Sequence, residues 1–168
     1  MPRLLIVHHS PSRSMQALLE QVVSGAHDPD VQEAGGVEVV VRAALEASAD
    51  DVLAADGYVL GTTANFGYMS GALKHFFDST FLAVGGALDP SGAPADGADA
   101  GTTAGRPYGL WLHGRYDLTG AERSVHAIVG ALGWRQGYDV LGVLGELDDA
   151  ALESAYALGA TIAALLVD

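Results

Sequence analysis

Apolar residues recur along this chain in two alternating rhythms. Leu4-Leu-Ile-Val7 is a continuous apolar run, the pattern of a short strand buried on both faces of a parallel sheet. After the polar stretch Ser10–Ser14, apolar positions at Met15, Leu18, Leu19, Val22 and Val23 follow helical spacing as far as Gly25. Val37–Val41 predicts a second strand, and Ala49–Ala54 a short helix that Ser48 or Asp50 would cap. Tyr58–Leu60, within Asp56–Gly61, predicts the third strand, and Ser70–Thr80 the third helix. Tyr108–Leu112 reads as the fourth strand, followed by a helix that Thr119 caps and Gly133 stops after Leu132. Asp139–Leu144 predicts a fifth strand, and a last helix begins near Leu147–Asp149 and ends in Ala163–Val167.

Five strands alternating with helices predict one α/β domain over residues 1–168, a doubly wound parallel sheet. Sheets of this kind bind ligands beyond the carboxyl ends of their strands, where the strand order reverses. For the order 2-1-3-4-5 that point lies between strands one and three. Residues 85–106 break the rhythm with six glycines, two prolines and three aspartates. They predict a flexible insertion without a core of its own, leaving the sheet at the end opposite the ligand crevice.

Composition narrows the picture further. A chain that is 49% hydrophobic can fill a core at this length. No uninterrupted apolar run of about eighteen residues occurs, so no membrane span is expected. The N-terminus enters a strand pattern directly, without the features of a secretory signal, and a cytoplasmic location is the expectation. With no cysteine there is neither a disulfide nor a thiolate nucleophile or metal ligand. A net charge of −13 argues against a nucleic-acid partner, whose phosphates need Lys and Arg. The acidity is concentrated in two blocks, −7 over residues 27–60 and −6 over 136–168. The units around strands one, three and four are near neutral or slightly positive, which suits an anionic small ligand. Solvation of an ordinary surface explains the acidic blocks equally well.

Two loops carry the candidate chemistry. Ser10-Pro-Ser-Arg-Ser-Met15 places hydroxyls at alternate positions before a helix start, where free N–H groups and the helix dipole favour an anion. Plain N-capping by Ser12 or Ser14 accounts for the same residues. Neither G-x-G-x-x-G nor G-x-x-x-x-G-K-[ST] is present, so a monophosphate fits better than a dinucleotide or a nucleoside triphosphate. The second loop, Gly61–Asp78, begins with small polar residues and the pair Phe66-Gly67, then runs into a helix. Its glycine allows backbone to approach a planar ligand. Phe66 has two readings, a ligand contact or a core aromatic, and Tyr68 and Met69 read at least as well as packing residues.

Taken together, Leu4–Met15 and Gly61–Asp78 resemble the flavodoxin-like flavoproteins, with the nearest likeness to the NADPH-dependent FMN reductase branch, including the tryptophan-repressor-binding-protein type of quinone reductase. The likeness rests on the hydroxyl-rich loop and on Phe66-Gly-Tyr-Met-Ser-Gly71. It implies a flavodoxin-like sheet of order 2-1-3-4-5 and FMN as cofactor. It places the FMN phosphate on Ser10, Ser12, Arg13, Ser14 and the backbone of Met15 and Gln16. Thr62, Thr63, Ala64 and Asn65 would meet ribityl and ring edge, and Phe66 and Gly67 the ring. The loop His113–Gly120 would cover the ring, with His113, Gly114 and Arg115 near its pyrimidine side. A solvated turn with Asp117 or Thr119 as helix cap explains several of these last residues too.

The resemblance implies an oxidoreductase that passes electrons from NAD(P)H through flavin to a quinone, free flavin or similar small-molecule acceptor. The flavin carries the chemistry, so no catalytic side chain is expected. An acidic electron-carrier flavodoxin is the alternative; its acidity fits, while the loops lack the paired aromatics that sandwich flavin in carriers. A third reading is a binding or regulatory protein of the same fold without flavin. A homodimer or homotetramer is compatible with the apolar run Phe76, Phe77, Phe81 and Leu82, which serves equally well as core. A metal site at His8-His9 is disfavoured, because neighbours on a strand point to opposite faces. Ser70 lacks the spacing of a nucleophile elbow and reads as a helix cap.

Overall fold

The computed structural model describes residues 1–95 and 102–168 of the chain. Strand β1 (Arg3–His8) leads into helix α1 (Arg13–Ala26), the short α2 (Pro29–Glu33) and β2 (Glu38–Ala43). Then come α3 (Ala49–Ala54), β3 (Gly57–Asn65), the two-residue β4 (Tyr68–Met69) and α4 (Gly71–Thr80). The chain ends with β5 (Pro107–Gly114), α5 (Thr119–Ala131), β6 (Arg135–Gln136), β7 (Leu141–Leu144) and α6 (Asp149–Val167). The parallel sheet runs β2-β1-β3-β5, with β6 and β7 both on the far side of β5. Counting β6 and β7 as one interrupted strand, this is the expected order 2-1-3-4-5.

Strand alternation divides the core into two layers. Leu5, Val7, Tyr58, Leu60, Leu110 and Leu112 face α3, α4 and α5. Leu4, Ile6, Val59 and Trp111 face α1 and α6. The second layer is closed by glycines at a helix crossing. A Cβ on Gly25 would overlap the Tyr156 carbonyl, and one on Gly159 the Val22 carbonyl. By length and composition α6 is apolar enough to cross a membrane, but its Ala155, Leu158, Ile162 and Ala163 are fully buried in this layer.

Several expected boundaries move. The third strand extends to Asn65, taking in residues expected to form a loop. The β-branched pair Thr62-Thr63 continues the ladder opposite Leu112 and His113 of β5. The fifth strand begins only at Leu141, with Arg135–Gln136 forming a separate piece of ladder before it. Leu118, not Thr119, is the N-cap of α5, and Thr119 donates its N–H to Asp117 Oδ1. The helix α2, begun by Pro29 and capped by Asp28, is an additional element.

The 85–106 segment departs from its expected character at both ends, while residues 96–101 lie outside the described residues. Leu88 and Pro94 form a β-bridge around a turn in which Asp89 Oδ1 accepts from the Ser91 and Ala93 N–H groups. Thr103 is fully buried, donates to the Val84 carbonyl and accepts from the Trp134 indole. That indole stacks on Tyr58 with 3.9 Å between ring centroids. Phe76 and Phe77 are buried in the core, and Leu82 alone of the apolar run is largely exposed.

Candidate functional site

Three segments meet beyond the carboxyl ends of β1, β3 and β5. The first is the turn from β1 into α1. Ser12 is the N-cap, its hydroxyl accepting from Met15 N–H at 3.2 Å, and Gln16 N–H donates to the Ser12 carbonyl. Two expected backbone donors, Met15 and Gln16, are therefore engaged within the helix. The N–H groups of Ser12, Arg13 and Ser14 carry no hydrogen bond among the described residues, as the geometry of a helix start requires. Ser12 thus caps the helix, three N–H groups of the turn are open, and the Ser10 hydroxyl lies 2.9 Å from His8 Nδ1. Arg13 is exposed beside them.

The second segment is the hairpin of β3 and β4. Phe66 and Gly67 are its two-residue turn, with φ of +51° and +80°, values that belong to a type I′ turn. Glycine takes such a φ freely, whereas a phenylalanine there is strained. Phe66 is nevertheless fully exposed, at 109%, which excludes the core reading. The hairpin lies across the start of α5, where a Cβ on Gly120 would overlap the Gly67 carbonyl oxygen.

Thr62 is not part of the site. It is buried on the α4 face, accepting from Ser70 N–H at 2.9 Å and donating to the Thr63 carbonyl. Ser70 in turn caps α4 through Leu73 N–H, as expected. Thr63 faces the other way, toward α1, and its buried hydroxyl has no partner among the described residues. On the same face the Trp111 indole N–H is also buried and has no partner among the described residues, its ring covering Gly61, where a Cβ would overlap it. An unmade hydrogen bond on a buried group costs about 1–3 kcal/mol. Two such groups in the layer that α1 covers suit a site completed by a water or a polar ligand.

The third segment is the loop between β5 and α5. Here the expectation for His113 and Gly114 changes. His113 Nε2 lies 2.7 Å from the Gly145 carbonyl, and Gly145 N–H donates to the Gly114 carbonyl. Both residues fasten the turn after β7, and Gly114 packs against Ala64. The residues that reach the site are Arg115, Tyr116 and Asp117. With Ala64, Asn65, Phe66 and Gly67 they line an open cleft of about 470 Å³. Tyr116 is 85% exposed, and the Arg115 guanidinium sits 5.7 Å from its ring centroid. Phe66 and Tyr116 are thus two exposed aromatics on one cleft. Tyr116 stood in view within His113–Gly120, in a loop read for its charges.

Electrostatics at the cradle centre on His8. Its pKa is lowered, first by burial, then by the like charge of His9, against an opposing pull from Glu46. Asp117, the Asx partner of Thr119, is held below the usual carboxylate range chiefly by Thr119 N–H.

No family model matches the chain. It is 26% identical over 138 residues to a flavodoxin of Aquifex aeolicus (strain VF5), covering 75% of this chain and 72% of that protein. Among solved structures, a flavodoxin from the domain Archaea superposes with a TM-score of 0.73 at 18% identity, covering 99% of both chains. The flavodoxin, WrbA-like protein from Agrobacterium tumefaciens gives 0.70 at 17% identity, over 99% of this chain and 98% of that one. These likenesses agree with the sheet order.

Proposed function

We propose that this flavodoxin-like chain binds FMN beyond the carboxyl ends of β1, β3 and β5 and works as an electron carrier. The observation that carries the reading is Phe66. An exposed phenylalanine at φ +51° forgoes burial and bears backbone strain of about 1–3 kcal/mol. A planar ligand covering the ring would offset both costs. Tyr116 on the same cleft gives such a ligand a second aromatic wall.

The residues fit the group. Ser10, Ser14, Arg13 and the N–H groups of Ser12, Arg13 and Ser14 would hold its phosphate. Thr63 and the backbone of Ala64 and Asn65 would meet the ribityl chain and ring edge. When bound, FMN supplies electron transfer at its ring. The protein orients the ring, excludes water from its faces and sets the charge around it.

Carrier is favoured over NAD(P)H reductase by the two aromatic walls. A ring flanked by Phe66 and Tyr116 presents an edge, whereas hydride transfer from a nicotinamide needs an open face. The net charge of −13 suits docking on a partner protein with a basic face. Anaerobic stopped-flow mixing of the FMN-loaded protein with NADPH tests the distinction. The expected result is no bleaching over minutes, with full bleaching by dithionite. Bleaching by NADPH alone within seconds would support the reductase, with a quinone or free flavin as acceptor.

A further inference from the structure

We propose that His8 is a positioning residue of the α1 cradle: it sets which way the Ser10 hydroxyl donates, and so makes capture of an anion proton-linked. The proposal rests on the FMN reading for the identity of the anion, and goes beyond it in assigning a role to His8.

His8 closes β1, on the same side of the strand as Leu4 and Ile6, whose side chains pack beneath α1. It is half-buried, and its Nδ1 lies 2.9 Å from Ser10 Oγ. The Ser10 carbonyl is also engaged, accepting from Gln16 Nε2 at 3.4 Å. Ser10 is thereby fixed at the mouth of the cradle, two residues before the helix cap.

A hydroxyl has one proton to give. When His8 is neutral with its proton on Nε2, Nδ1 accepts the Ser10 O–H and only oxygen lone pairs face the cradle. They repel a phosphate oxygen. When Nδ1 carries a proton it donates to Ser10 Oγ, and the hydroxyl proton turns outward to donate to the anion. Protonation of the whole ring does this and adds a positive charge close to the phosphate.

The groups facing His8 leave it responsive. His9, beside it on the chain, disfavours its charge, and Glu46 in the turn after β2 favours it. From β3 it meets Gly61, its register partner, which has no side chain. From the loop before α1 it meets the Ser10 hydroxyl, and Arg13 at the start of α1 is exposed. Burial, the largest influence, keeps the empty site's ring neutral near pH 7. A bound dianion shifts the balance toward the protonated ring, so binding takes up a proton as pH falls toward 6.

The test is calorimetric titration of FMN and of riboflavin, which lacks the phosphate, into the native protein, His8→Asn and Ser10→Ala. Titrations at pH 6.5 and 8 in two buffers of different ionisation enthalpy give the protons taken up. The Asn side chain places an amide where Nδ1 stood but does not titrate, so it subtracts the titration of the phosphate itself. From pH 8 to 6.5 the FMN-to-riboflavin affinity ratio should rise about fivefold more in the native protein than in either variant. Proton uptake on FMN binding should fall in both variants, and riboflavin should show no such difference. Equal proton uptake and equal pH dependence in native protein and His8→Asn would overturn the role of His8 while leaving FMN binding intact. Failure of the native protein to bind either flavin would overturn both readings.

Discussion

Phe66 concentrates the argument in one side chain, because it breaks two local rules at once and a ligand explains both. Replacing it with Asn creates the Asn-Gly pair that type I′ turns prefer. Phe66→Asn is expected to raise unfolding free energy by about 0.5–1 kcal/mol. The same change should weaken FMN binding by about tenfold through loss of one aromatic wall. Denaturant unfolding and a flavin titration on the same variant check both halves. A variant that loses stability would mean that Phe66 serves the fold. The Phe66-Gly67 pair was legible as a loop position where glycine frees the backbone. The exposure of the ring was not, since it depends on the turn type, and the turn type depends on Thr62-Thr63 continuing the strand. Thr62 shows the same limit. Its hydroxyl is committed to Ser70 N–H eight residues on, a pairing that only the hairpin creates.

Elements hold these residues in place through close contacts that glycine permits. Gly120 on α5 seats the hairpin, and any Cβ there meets the Gly67 carbonyl. Gly120→Ala should therefore displace the turn, cost about 1–3 kcal/mol, and lower flavin affinity with it. Thermal unfolding and FMN titration of that variant should both respond; an unchanged affinity would detach the hairpin from the site. On the same face of the sheet, α3 offers a pH test. Ser48 and Asp51 form a capping box, with Arg42 paired to Asp51 at 3.3 Å. Burial acts to raise the Asp51 pKa, but hydrogen bonds from Ser48 and the Arg42 charge outweigh it, leaving it below 3.8. A carboxylate depressed in the folded state adds stability above its unfolded pKa and loses it as pH falls through the folded value. Asp51→Asn should thus be less stable than native protein at pH 7, and the gap should close as the pH falls below the ordinary carboxylate range. Helix caps at Ser12, Ser48 and Ser70 were legible because they precede apolar periodicity. The cap of α5 was misplaced by one residue, since Asp117 satisfies Thr119 N–H and removes the need for a capping hydroxyl.

At the scale of the whole molecule, charge and topology agree. The acidic block 27–60 includes β2 at one edge of the sheet, and the block 136–168 includes β7 at the other, followed by α6, which packs with α1 over one face. The site loops come from β1, β3 and β5 between them and carry Arg13 and Arg115. An anionic ligand bound by these loops would sit in a near-neutral centre flanked by acidic edge segments. The alternation of apolar runs sufficed for a parallel α/β sheet, because each buried strand is a continuous hydrophobic stretch, while the strand order came from the resemblance. The fastening of the 85–106 segment was hidden, because it hangs on one buried threonine, Thr103, and an indole thirty-one residues later. FMN binding is the central claim, and quenching of flavin fluorescence measures it directly. Titrating FMN with the purified protein should quench its emission with one site per chain, while riboflavin should bind at least about tenfold more weakly for want of the phosphate. Emission unchanged at a severalfold excess of protein would contradict the account.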